Sequence, residues 1–209
     1  MLNKPLGYAC SRDPSESPLV FDLLPERWNR RNPAVCAIGR LDRDASGLLL
    51  LTDIPGLVHK LASPKSGTKK VYEAVLDKPL RSEWIDLFAS GGLLLSGEDK
   101  PCRPARLDMT SEKTALLTLT EGRHHQVRRM FETVGCTVLC LRRVSFGPWR
   151  LGEVEEGSYI HLPLDVFSVR SEVMRVAIPP RLACAVLTRD QERYTCSTKG
   201  DDIARRRAP

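Results

Sequence analysis

Four consecutive leucines, Leu48 to Leu51, follow directly on the charged segment Gly39-Arg40-Leu41-Asp42-Arg43-Asp44-Ala45-Ser46-Gly47. A short, unbroken apolar run suits a strand buried on both faces. A sheet interior is therefore required, with a polar loop feeding straight into it. Other strands read from alternation: Leu2 to Tyr8 running into a Pro/Gly turn, Lys69 to Leu76, the stretch around Leu117 and Leu119, and Thr137 to Leu141. Two helices fit between them. Ser82 can cap one that turns Trp84, Leu87 and Phe88 inward. In the other, Val127, Met130, Phe131 and Val134 form one apolar stripe, and Gly135 is a left-handed stop. The class is α+β with a mixed sheet, not a doubly wound nucleotide fold, and neither standard glycine-rich phosphate loop occurs.

Composition narrows the function. At 209 residues the chain has room for one large domain or two small lobes sharing a cleft. Its 42% apolar and 28% charged residues are those of a soluble globular protein. No apolar run reaches the roughly 20 residues of a membrane-spanning helix, and Met1-Leu2-Asn3-Lys4-Pro5 is not a secretory signal. Lys and Arg outnumber Asp and Glu by 32 to 26, giving +6, which favours a polyanionic partner. The seven cysteines include no C-x-x-C pair and read as reduced structural thiols. Cys136 and Cys140 could ligate zinc only with distant help.

Three segments carry candidate chemistry. Asp42 lies between Arg40 and Arg43, a positive field that keeps a carboxylate ionised; the competing reading is a surface loop of mutually neutralising charges. Gly39 and Gly47 let the backbone turn sharply or approach a ligand. Glu121-Gly122-Arg123-His124-His125-Gln126-Val127-Arg128-Arg129-Met130 sets cations about a helix start, an anion site or a solvated basic face. The adjacent His124 and His125 should point different ways and share no metal. Tyr72, after Lys69 and Lys70, is either core or a stacking surface for a base beside phosphate-neutralising lysines.

Gly39-Arg40-Leu41-Asp42-x-x-Ala45-x-Gly47 followed by Leu48 to Thr52 resembles the signature of the RsuA-type pseudouridine synthases. Leu2-Asn3-Lys4-Pro5-x-Gly7 is similar to that family's first motif, Lys70-x-Tyr72 to its tyrosine motif and Glu121 to Met130 to its arginine motif. Leu141-x-Arg143-x-x-x-Gly147 matches its closing strand. The resemblance implies a pseudouridine synthase fold: an extended mixed sheet of two lobes with Asp42 in the central cleft, over residues 1–170. Residues 171–209, including Ile178-Pro179-Pro180 and Arg205-Arg206-Arg207, are then a C-terminal tail without a counterpart in the family. Family members usually carry an S4 domain upstream, and the present start would lie just after it. Ala45 stands where a hydroxyl residue is common.

The implied reaction detaches uracil from C1′ of a uridine in RNA, rotates it and rejoins it through carbon. Asp42 is then the catalytic carboxylate, Tyr72 stacks on the flipped base and helps remove a C2′ proton, and Arg128 pairs with Asp42. Arg40, Lys70, Arg123, His125, Gln126, Arg129 and Leu141 are expected to contact substrate or the pocket wall. No cofactor and no metal are needed. The expected partner is RNA, most of all ribosomal RNA, with no membrane, for a monomer in the cytoplasm, or in an organelle if an upstream segment is missing. Two rival readings are a non-catalytic RNA-binding assembly module and a metal-assisted phosphoesterase using Asp42 and Asp44. In the second, Arg43 would repel the metal.

Overall fold

The computed structural model describes residues 1–162. Its elements in chain order are β1 (Leu2–Lys4), α1 (Glu26–Asn29), β2 (Cys36–Ile38), β3 (Ser46–Thr52), α2 (Pro55–Ala62), β4 (Lys70–Leu76), α3 (Glu83–Ala89), β5 (Arg106–Met109), β6 (Thr114–Leu119), α4 (Gln126–Thr133), β7 (Val138–Phe146) and β8 (Trp149–Arg150). The strands make one sheet in the order β1-β3-β7-β4-β6-β5, with β2 added to β3 and β8 to β7. Among the described strands the pairing is antiparallel except where Ser46 and Gly47 of β3 run parallel to Arg142 and Arg143 of β7. The α+β class and mixed sheet are as read from the sequence.

The leucine run is buried as its composition demands: Leu48 and Leu49 are fully enclosed and Leu50 nearly so. One face of the sheet carries the main core. There, inward residues of β4 and β6 (Ala74, Leu76, Ala115, Leu117, Leu119) meet Val127, Met130 and Phe131 of α4. Phe131 is met edge-on by Phe88 at 5.4 Å and by Trp84 at 6.4 Å, the favoured aromatic geometry. Gly135 adopts φ +74 and closes α4 as expected.

Three local readings need correction. Ser82 precedes α3 with helical backbone angles, and its side chain makes no capping bond. Leu87 is 40% exposed, because two turns carrying Trp84 and Phe88 already fill the contact with α4. The strand expected over Thr137 to Leu141 continues to Phe146. Arg142 and Arg143 interrupt the apolar signal without interrupting the strand. The expected domain boundary at 170 and the tail over 171–209 lie outside the described residues.

Candidate active site

Asp42 opens a turn closed by the Ala45 amide, which donates to its carbonyl at 3.1 Å. Leu41 and Ala45, on either side, are buried and pin the turn to the core, while the Asp42 side chain stays 36% exposed. Arg43 extends the anchorage outward, its guanidinium donating to the carbonyls of Gly7 at 2.9 Å and Ser17 at 3.1 Å. A carboxylate that is to act on a ligand needs both features: fixed backbone and open oxygens.

Two buried cations hold this loop from beneath. Lys4 is fully enclosed, and its ammonium donates to the carbonyls of Ala45 at 2.6 Å, Pro5 at 3.0 Å and Arg43 at 3.4 Å. Arg143, 1% exposed, donates to Leu48 and Gly39 carbonyls at 2.8 Å and to that of Arg40 at 3.4 Å. Neither forms an ion pair with a carboxylate among the described residues. A buried charge is costly unless dipoles solvate it, and here the loop's own carbonyls do so. Close approach makes this geometry possible. Gly39 has φ +67, and a Cβ there would lie 2.9 Å from the Phe146 ring; Gly47 has φ +101, and a Cβ would lie 2.4 Å from the Arg143 carbonyl oxygen. Both glycines admit strand β7 rather than a ligand.

Burial pushes the Lys4 ammonium from 10.5 down to about 8, against the pull of Cys10, Asp44 and Asp42 and together with the push of Arg143. Between about pH 8 and 10.5 the unfolded chain then binds the proton that the folded chain has released. Lys4 therefore makes unfolding free energy rise with pH across that window. In urea unfolding at pH 7 and pH 9.5, the wild type should gain stability relative to Lys4→Met at the higher pH. A pH-independent difference would contradict the buried position of this amine.

The start of α4 approaches from the other side. His125 adopts a left-handed backbone (φ 50, ψ 30), uncommon outside glycine and typical of constrained sites. Its Nε2 lies 3.6 Å from Asp42 Oδ1. The rings of His124 and His125 stack at 3.8 Å rather than pointing apart, because the left-handed residue folds one ring over the other. Arg128 does not pair with Asp42 as expected. Its guanidinium bridges the Asp44 carboxylate at 2.8 Å, the Asp44 carbonyl at 3.1 Å and the Val138 carbonyl at 2.7 Å. Arg128 thus ties α4 to the far end of the turn, leaving its buried Nε without a partner.

Several expected RNA contacts are spent inside the protein. Lys70 is buried, lies over the Phe146 ring and reaches the Glu121 carbonyl at 3.4 Å; burial and Arg143 both lower its pKa. Gln126 is buried, donating to Glu121 at 2.7 Å and accepting the Arg123 amide at 2.9 Å. Arg123 donates to the Lys100 carbonyl at 2.7 Å and to that of Pro101, and pairs with Glu98. Arg129 holds Glu98 at 2.9 Å and the Ser96 carbonyl at 2.6 Å. The carboxylate of Glu98, distant in sequence from both Arg123 and Arg129, and that of Glu121, which takes Arg123 and the Arg103 amide, make a brace joining the start of α4 to residues 96–103. Arg40 remains exposed.

Tyr72 is half-buried against the core, opposite Arg143 in the β4–β7 register, with the guanidinium 6.0 Å from its ring. Leu141, buried, faces Ala74 two residues along the same face. Asp42 and His125 thus meet directly, while Arg143 links the Asp42 loop to Tyr72. Among the described residues no three His, Cys, Asp or Glu side chains gather as a metal site. Sequence reasoning missed Lys4 and Arg143 as parts of the site. The available signal was a cation at an inward position of a strand: Arg143 shares its phase with Leu141.

A family model described as RNA pseudouridylate synthase matches residues 1–133. The ribosomal small subunit pseudouridine synthase A of Haemophilus influenzae is 37% identical over 165 residues, covering 76% of this chain and 67% of that protein. Its Escherichia coli K12 namesake is 39% identical over 149 residues, covering 70% of this chain and 62% of that one. This chain therefore spans about two thirds of the length of these relatives. A crystal structure of a pseudouridylate synthase superposes with a TM-score of 0.73 at 37% identity, covering 79% of this chain and 70% of the other.

Proposed function

This chain belongs to the RNA pseudouridylate synthase family, and we propose that it converts uridine in RNA to pseudouridine with Asp42 as the working carboxylate. One observation carries the assignment to Asp42: its side chain is open to solvent on a turn whose backbone is gripped by Lys4, Arg143 and Arg128, and among the described residues no arginine pairs with it. In the reaction the N1–C1′ bond breaks, uracil rotates, a C5–C1′ bond forms and the C5 hydrogen leaves as a proton while N1 gains one. Asp42 attacks the sugar or the base to hold the intermediate. Tyr72 offers its ring to a uracil taken out of the stack, an extrusion costing a few kcal/mol, and its phenol oxygen helps to take a proton from C2′ that is returned to C2′ before the product leaves. Arg128 acts on the loop through Asp44 rather than on Asp42 itself. His125, beside Asp42, and exposed Arg40 are the remaining groups placed for substrate. The cytoplasmic location follows from this reading rather than from any feature of the fold.

The relatives named above act, by their names, on the ribosomal small subunit, and the substrate proposed here is the same RNA. Incubating the protein with protein-free small- and large-subunit ribosomal RNA, then mapping alkali-stable carbodiimide adducts, tests both parts. A new adduct in the small-subunit RNA alone is expected. Modification confined to large-subunit RNA would overturn the substrate, and no adduct in either would favour a binding module.

A further inference from the structure

We infer that Arg143 is a positioning residue that sets the Asp42 loop against Tyr72, an inference that rests on the function proposed above. The side chain is almost fully enclosed, yet it is a permanent cation without a carboxylate partner among the described residues. A merely structural position of that size would be filled better by an apolar residue, since a buried charge carries a desolvation cost of several kcal/mol. Its donors explain why an arginine stands there. Three nitrogens of one rigid fork reach carbonyls at both ends of the loop: Gly39 and Arg40 before Asp42, and Leu48 after it. The same guanidinium lies 5.2 Å from the Phe146 ring and 6.0 Å from that of Tyr72, within reach of cation–π attraction.

The backbone is built around this contact. Gly47 pairs with Arg143 in the parallel β3–β7 register, and a Cβ on Gly39 would come within 3.8 Å of the Arg143 Nη1. One guanidinium thus bonds both ends of the loop and lies near the tyrosine ring, whereas Lys4 bonds the carbonyls of Pro5, Arg43 and Ala45. A lysine at position 143 would keep the charge but lose the planar fork, so it could not grip both loop ends at once.

Arg143→Lys and Arg143→Gln test the inference in the full chain, with kcat and KM read from tritium release by RNA labelled at uridine C5. Thermal denaturation is followed in parallel, and rates are measured well below each midpoint. The expected result is a kcat reduced at least about tenfold in Arg143→Lys and further in Arg143→Gln, with KM and RNA affinity within about twofold of wild type. If Arg143→Gln does not fold, Arg143→Lys alone decides. A folded Lys variant with unchanged kcat, or a loss carried by KM alone, overturns the positioning role. An inactive wild type would instead overturn the pseudouridine reading and this inference with it.

Discussion

Asp42→Asn removes turnover by at least roughly 10⁴-fold while leaving the fold and RNA affinity in place. Asparagine is nearly isosteric, and the contacts that shape the turn are made by main-chain atoms: the Ala45 amide to the Asp42 carbonyl, and Lys4 and Arg143 to the carbonyls around it. Only the negative oxygen goes. An amide can neither attack the nucleoside nor accept its proton, and Asp44, the other carboxylate of the turn, is engaged by Arg128. RNA affinity should stay within about twofold or improve slightly, since a negative charge leaves a surface that receives phosphates. Tritium release from C5-labelled RNA under single-turnover conditions measures the loss. A rate within tenfold of wild type would move the chemistry to another residue.

The second large effect is on stability. Gly47→Ala should cost about 3–5 kcal/mol in urea unfolding. Part is backbone strain, about 1–2 kcal/mol for an L-residue in a left-handed conformation. The rest is steric: the new methyl would lie 2.4 Å from the Arg143 carbonyl oxygen and 2.9 Å from its nitrogen, so β3 and β7 must part where their parallel pairing begins. Gly97→Ala is the control, because Gly97 has φ +75 and open space around it and so carries the backbone part alone. Equal losses at the two positions would mean that the close approach contributes nothing.

The local chain wrote what depends on local pattern. The leucine run, the alternation around Leu117 and the stripe of Val127, Met130 and Phe131 each specify an element whatever surrounds them, and each is found where expected. Short or mixed elements were not legible. β2 has three residues, α2 buries none of its own, and β5 alternates too briefly to stand out against Arg106 and Asp108. At the site, the family resemblance singled out Asp42 and Tyr72 as candidates, but nothing in the sequence gave the partners of the arginines. Which carboxylate Arg123, Arg128 or Arg129 meets is decided by the packing of α4 against residues 96–103 and the Asp42 turn, a long-range matter. The motifs grouped cations that look alike in one dimension, and folding sorted them. Lys70, Arg123 and Arg129 brace the scaffold, Arg128 and Arg143 hold the loop, and Arg40 stays outside.

On the proposed function, the protein turns uridine into its carbon-linked isomer by itself. Small-subunit ribosomal RNA incubated with the purified chain and no added cofactor, digested to nucleosides and resolved by chromatography with mass detection, gives the direct answer. A nucleoside of uridine's mass but pseudouridine's retention should appear in proportion to enzyme added and be missing with Asp42→Asn. RNA that yields no such nucleoside with the wild type would deny the chain this activity, and as much with the variant would take the chemistry away from Asp42.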